Sequence, residues 1–301
     1  MREVLGDKKA IVILLTPALA FYTLIKLVPI LWSLGLTFFE GNVLRGYEPV
    51  GLANFTRLFS DATFWQSTLF TLKYSVVATV LEVGVGYLLA IMYVFALRRG
   101  SALLRTVVFF PVILPTVAVG VLFKRLFGIN PSAGPVPAML ESLGAQPFDW
   151  FASGGTAFLV LILMDVWKSM GFFAVLLYAG LVDIPEEVIE SARVDGARRF
   201  RLVRHIVIPL SLPVLLAAIV FAINATLKVF DSILALTNGG PGTDTMPLTL
   251  YMYRTVFTYN EYGYGSTLAL MLTIIAFLVT IVVFRSARRD ITADRAKAGA
   301  A

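Results

Sequence analysis

Between Glu186 and Arg204 the chain gathers charge of both signs: Glu186, Glu187, Glu190 and Asp195 toward one end, Arg193, Arg198, Arg199, Arg201 and Arg204 toward the other. Carboxylates so placed suit the backbone amides or basic side chains of another protein, although lone charges also form an ordinary solvated helix face. The arginines Arg198, Arg199 and Arg201 suit phosphate headgroups. A second set of polar side chains stands inside otherwise apolar sequence: Glu82, Asp165, Lys168, Asn224 and Lys228. A Lys or Asp at a helix centre in lipid costs at least ~2.5 kcal/mol, so each needs a partner or a polar path to face. Asp165 and Lys168, and likewise Lys228 and Asp231, are three residues apart and able to neutralise each other; pairing and pathway lining are equally compatible with that spacing.

Covalent and hydrolytic chemistry finds no apparatus. The sequence holds no GxxxxGK[ST] phosphate loop, no GxSxG elbow and no HExxH, so no catalytic residue is assigned. With 0 cysteines there are no disulfides or thiolate ligands, and the 1 histidine, His205, is too few for a histidine metal cluster.

The charged run must be held by local structure. Asp183 with Glu186 three residues on has the form of a capping box, Pro185 fits a first helical turn, and Gly196 is a stop. A second helical stretch is expected from Ala197 toward Pro209. The run is therefore a helix, a glycine corner and another helix, with Gly196 taking a left-handed backbone.

Around it the chain is 58% hydrophobic and 15% charged, with a mean hydropathy of +0.83, outside the range of water-soluble domains. A helix needs about 20 apolar residues to cross a bilayer. Six segments qualify as spans: Ile11–Leu34, Phe70–Ala90, Thr106–Leu122, Thr156–Tyr178, Ile208–Thr226 and Gly265–Phe284. They are apolar on every face, unlike the alternating strands of a membrane barrel. Ala18-Leu19-Ala20 has the form of a signal cleavage site, but apolar sequence continues to Phe39, and an uncleaved span is expected. Placing the N-terminus in the cytoplasm puts 16 Lys and Arg inside against 5 outside, so both termini and the charged run are expected inside. The net charge of +6 then reflects topology, and nucleic acid is not an expected partner. The stretch 130–153 reads as a short outer connection with one helical turn, and 291–301 as a disordered cytoplasmic tail after a permease domain at 1–290.

Glu190, Ala192, Asp195, Gly196, Ala197, Phe200, Ile206, Pro209 and Pro213 resemble the EAA loop of permease subunits in binding-protein-dependent ABC importers. Ser191 stands where the family has an alanine, and Ile208-Pro209 where it has Leu-Pro. The outer stretch LTNGGPGTDT, beginning at Leu236, is similar to that of carbohydrate-type permeases, and the likeness extends from about Ile11 to Arg289. The resemblance implies an all-α polytopic membrane protein with six spans and a cytoplasmic coupling helix within a loop at 183–208. It implies that Glu187, Glu190, Ala192, Asp195, Gly196, Ala197, Arg198 and Phe200 engage a cytoplasmic ATPase, and that Mg-ATP is bound there, with no cofactor on this chain. Two ATPase copies, a second permease, an outer solute-binding protein, a sugar-like substrate and the lipid bilayer are the implied partners.

A sugar path needs aromatic faces and hydrogen-bonding groups. Asp165, Trp167, Lys168, Asn224, Lys228 and Asp231 are the candidates. Asn238, Gly239, Gly240 and Pro241 form a breaker cluster expected either to face the binding protein or simply to turn the chain. A self-sufficient secondary transporter, a membrane enzyme, or an ABC permease for a non-sugar solute stand as alternatives.

Overall fold

The computed structural model describes residues 8–97, 100–129, 132–146, 148–198 and 200–298; the side chains of 8, 10 and 286–298 are not among those described. Five helical segments are long and apolar enough to cross a membrane: Ile11–Leu36, Ala62–Ala96, Gly154–Val182, Phe200–Thr226 and Tyr262–Arg285. Three of them contain a π-helical turn, at Thr23–Leu27, Met92–Ala96 and Val203–Val207. The third expected span is different. It divides into Ser101–Ile113 and Thr116–Phe127, which meet at 95°. Pro115 has no N–H to donate and forces Leu114 out of the helical region, to φ −69 and ψ 138.

In chain order the helices are α1 (Lys8–Tyr22), α2 (Val28–Leu36), α3 (Ala53–Ser60), α4 (Ala62–Ile91), α5 (Ser101–Ile113), α6 (Thr116–Phe127), α7 (Pro135–Ser142) and α8 (Gly154–Val182). There follow α9 (Glu186–Val194), α10 (Phe200–Leu202), α11 (Ile208–Thr226), α12 (Asp231–Leu236), α13 (Leu248–Phe257) and α14 (Tyr262–Ala298). Helix α7 replaces the single turn expected in the outer connection, with Pro135 and Pro137 in its first turn, where a missing N–H costs nothing. Helix α14 runs to Ala298, into the stretch 291–301 expected to be a tail. That stretch carries Ala, Arg and Lys, all strong helix formers. Residues 299–301 lie outside the described residues.

The chain forms two compact units. One comprises 1–64 with 251–273. It contains an antiparallel hairpin, β1 (Phe39–Asn42) with β2 (Gly46–Pro49), that the sequence reading did not anticipate. Asn42 Oδ1 closes the hairpin by accepting from the N–H groups of Leu44 and Arg45, each at 3.0 Å. Beside it Asp61 accepts from the hydroxyls of Tyr251 and Tyr264, both at 2.5 Å, and from Thr63 N at 2.8 Å. Burial alone would push the Asp61 carboxyl up, but these donors and the Phe64 N–H outweigh it and hold it below its ordinary value. Arg57 bridges Glu261 at 2.7 Å and lies 4.0 Å from the Tyr264 ring.

The other unit comprises 65–250 with 274–301. Its core runs through Val83 and Tyr87 of α4, Phe173, Leu177 and Leu181 of α8, Val207, and Ala218 and Ala222 of α11. Ile189 and Ala192 of α9 join the same core. Helix α5 packs on α8, whereas α6 packs on α12. The second contact is close because Gly120 has no side chain: a Cβ there would lie 2.5 Å from that of Ala235.

Candidate functional site

Helix α9 is anchored on one side and open on the other. Ile189 and Ala192, each 8% exposed, lie against the core that α8 and α11 share. Glu187, Glu190 and Asp195 face outward. The expected capping box does not form. Asp183 instead ends α8, and the residue flanking the first turn of α9 is Pro185, without a side-chain cap. Glu186 and Glu187 in that first turn complement the helix dipole.

The far end matches the expected corner. Gly196 has φ +83, and two bonds close a Schellman motif: Gly196 N donates to Arg193 O at 3.1 Å, and Ala197 N to Ala192 O at 2.9 Å. A Cβ at Gly196 would meet nothing within 4 Å, so the glycine serves the backbone and not the packing. After the corner the chain passes straight into α10, the π turn and α11, one continuous span with Phe200 at its head. The basic stretch expected as a separate second helix is thus the start of the fifth span.

Beside α9 a groove of about 430 Å³ is lined by Glu187, Val188, Ser191, Ala192, Asp195, Ala197 and Ile206. Four of the assigned loop residues, Glu187, Ala192, Asp195 and Ala197, meet there. Glu190, Arg198 and Phe200 are exposed outside it, Phe200 at 73%. Arg199 lies outside the described residues. Ile189, which seats the helix, was not singled out by sequence; its spacing of three from Ala192 on an otherwise charged helix was the available signal.

A second cavity, of about 350 Å³, opens between α4, α8 and the end of α11. Of the candidate pathway residues, Asp165, Lys168, Lys228 and Asp231 line it, with Glu82, Tyr74, Ser169, Phe172, Phe173, Phe221 and Ser232. Trp167 and Asn224 do not. The Trp167 ring packs on Phe123 of α6 with centroids 5.7 Å apart, because on a helix it projects about 100° away from Lys168. Asn224 donates to Val220 O at 2.9 Å and accepts from Thr280 Oγ1 at 3.4 Å. Neither Asp165–Lys168 nor Lys228–Asp231 forms an ion pair, since Arg57–Glu261 is the one pair within 4.0 Å among the described residues. Asp165 Oδ2 instead accepts from the Tyr74 hydroxyl and, at 3.0 Å, from Ser232 Oγ.

The cavity wall owes its shape to the break between α11 and α12. Leu227 to Phe230 leave the helix there and bring Lys228, Val229 and Phe230 to the cavity. Hydroxyls hold the break in place. Thr226 Oγ1 shares hydrogen bonds with Ser75 Oγ at 2.8 Å and Thr79 Oγ1 at 3.2 Å, and Thr249 donates to Val229 O.

The glycine cluster after α12 is partly surface and partly filling. Asn238 and Gly239 have φ of 49 and 80, and Thr245 Oγ1 donates to Gly240 O at 2.6 Å. Asn238 and 242–244 are exposed, Gly240 and Pro241 half-buried, and Gly239 is buried against Met246 and Leu250. From Thr245 to Leu250 every residue is buried. Leu248 N donates to Thr71 Oγ1 at 2.9 Å, so the segment behind the turn is tied to α4.

Residues 82–289 match the family described as "Binding-protein-dependent transport system inner membrane component". The chain is 32% identical over 288 residues to the sulfoquinovosyl glycerol transport system permease protein of Agrobacterium fabrum, covering 94% of this chain and 92% of that one. It is 31% identical over 277 residues to the trehalose/maltose transport system permease protein of Thermococcus litoralis, covering 92% of each. The fold is similar, with a TM-score of 0.83 over 96% of this chain and 98% of the other at 23% identity, to a chain of a bacterial ABC transporter involved in the import of the acidic polysaccharide alginate. An open-faced helix seated on an apolar bundle, five to six spans and a match over most of its length have one common explanation: the chain belongs to the binding-protein-dependent transport system inner membrane components, as a multi-pass permease subunit of an ABC importer.

Proposed function

We propose that this permease forms one half of the pathway of an ATP-driven importer for a sugar or sugar derivative. The loop 183–208 couples it to a cytoplasmic ATPase, of which two copies bind and hydrolyse Mg-ATP while this chain performs no hydrolysis. A second permease encloses the other half of the pathway, a solute-binding protein delivers cargo from outside, and both termini lie in the cytoplasm. The observation that carries this reading is helix α9, bound to the bundle through Ile189 and Ala192 while Glu187, Glu190 and Asp195 face outward. A pull on that outer face is passed to α8 and α11, the spans that wall the charged cavity. Favouring saccharide as cargo are the phenyl faces of Phe172, Phe173 and Phe221 beside the carboxylates and amines of the cavity, and the saccharide cargo named for the relatives.

The test is affinity purification from detergent-solubilised membranes, wild type beside Gly196→Val, with mass spectrometry of the retained proteins. A β-branched residue at φ +83 is strained by about 1–2 kcal/mol and distorts the corner. The expected result is an ATPase and a second permease with the wild type, and an ATPase diminished in the variant. Recovery of the chain alone, with no ATPase in either sample, would overturn the reading.

A further inference from the structure

Asp165 occupies a position at which three helices, α4, α8 and α12, meet. It is on α8, the helix that leads through Asp183–Pro185 directly into α9, and lies 17 residues before the end of α8, or roughly 26 Å along the helix axis. Its Oδ2 accepts from Ser232 in the first turn of α12, beyond the break in the fifth span, and from Tyr74 of α4. Tyr74 and Ser232 are 1% and 4% exposed, so neither hydroxyl has water as a ready substitute. The expected neighbour on its own helix, Lys168, does not pair with it.

We propose that Asp165 is a positioning residue for transport: a latch that ties the wall of the cavity beyond Thr226 to the span that enters the coupling helix, so that movement of α9 changes access to the cavity. This rests on the importer reading. The physical argument is one of alternatives. Hydrogen bonds to a carboxylate are about twice as strong as neutral ones, and a half-buried carboxylate deprived of its donors is penalised. Separation of α12 from α8 therefore proceeds only with an exchange of partners, and Lys168 and Lys228 stand in the same cavity to receive Asp165 when it is released. Two discrete arrangements of one carboxylate make a switch. Neutral contacts also hold the broken segment: Thr226 with Ser75 and Thr79, and Thr249 with the Val229 carbonyl. Asp165 adds a charged tie to these.

The natural chain has 0 cysteines, which permits a test that needs no knowledge of the cargo. Ala225, exposed on the cavity wall, is replaced by cysteine as a reporter, and the complex with its co-purified subunits is placed in lipid nanodiscs. Labelling by a charged maleimide is timed without nucleotide and with ATP plus vanadate, in the latch-intact chain and in one that also carries Tyr74→Phe and Ser232→Ala. The intact latch is expected to give a nucleotide-dependent rate change of about fivefold or more, and the double variant a change near unity with ATP hydrolysis retained. A merely structural role would lower assembly or hydrolysis and leave the response of the surviving complexes intact. Asp165→Asn, which keeps the size and one acceptor oxygen, is the second variant if the double one fails to assemble, and a weakened response is expected of it. An unchanged response in the variants overturns the latch alone. No response in the latch-intact complex overturns the importer reading and the latch together.

Discussion

Truncating Ile189 to alanine should uncouple the transporter without touching a single group on the outward face proposed to meet the ATPase. The helix that carries it has 9 residues, too short to persist in water on its own. What holds it is the burial of Ile189 and Ala192 in the core cluster that also contains Leu181, Leu202 and Val207. Ile→Ala removes three carbons, worth roughly 2.5 kcal/mol at ~0.8 kcal/mol each, and about 2–5 kcal/mol once the unfilled space is included. The transfer figure of roughly 2.5 kcal/mol by itself shifts the docked-to-undocked ratio by roughly 60-fold. Undocking is readable by trypsin, because Arg193 and Arg198 are exposed on either side of the corner. Cleavage there should accelerate in Ile189→Ala, and solute uptake per ATP hydrolysed should fall with it. Val194→Ala is the control: Val194 is 87% exposed, so its loss should leave cleavage at the wild-type rate. Equal cleavage of Ile189→Ala and wild type would refute the reasoning, since the helix would then be held by something other than its buried face.

Other perturbations discriminate among the remaining assignments. Lys168→Gln should alter uptake or selectivity, whereas Asn224→Ala, whose side chain is engaged by Val220 and Thr280 outside the cavity, should leave selectivity unchanged in a competition uptake assay. Gly240→Val should impair uptake while permease and ATPase still co-purify, because a Cβ at Gly240 lies 3.3 Å from Thr237 O and disturbs only the turn; unaltered uptake would reduce that turn to a simple chain reversal. Asp61 is held below its ordinary value, so its contribution to stability is complete above the unfolded carboxyl value near 3.9 and is lost as pH falls through the lower folded one. Thermal melts of Asp61→Asn and wild type should therefore differ at neutral pH and converge as the pH falls below about 4.

Apolar runs and the glycine corner were readable because each has a direct cause in residue type. A span needs only length and hydropathy, and a backbone at φ +83 selects Gly196 almost by itself. The facing of polar side chains within spans was not readable. A helix apolar all round has no moment to say which side looks inward, so Trp167 and Asn224 counted equally with Lys168 until neighbouring helices were in place. Asp165 shows the same limit in another form. Its real partners are 91 and 67 residues away in sequence, whereas the pairing that spacing suggested was three residues away. The break at Leu114 follows from Pro115, but a 95° bend depends on α5 and α6 having different neighbours to lie against. Nothing in the spacing of Asp61, Tyr251 and Tyr264 pointed to their meeting.

That bend has a mechanical consequence. An unbroken rod in the third position would have to tilt as one body whenever either end was displaced. Here the first limb lies along α8 and the second along α12, and the elbow between them, with Val112 and Thr116 at the cavity, carries no helical hydrogen bond across Pro115. The two limbs, each with its own main partner, can therefore tilt by different amounts, and the third span is a jointed rod with its pivot at the cavity wall.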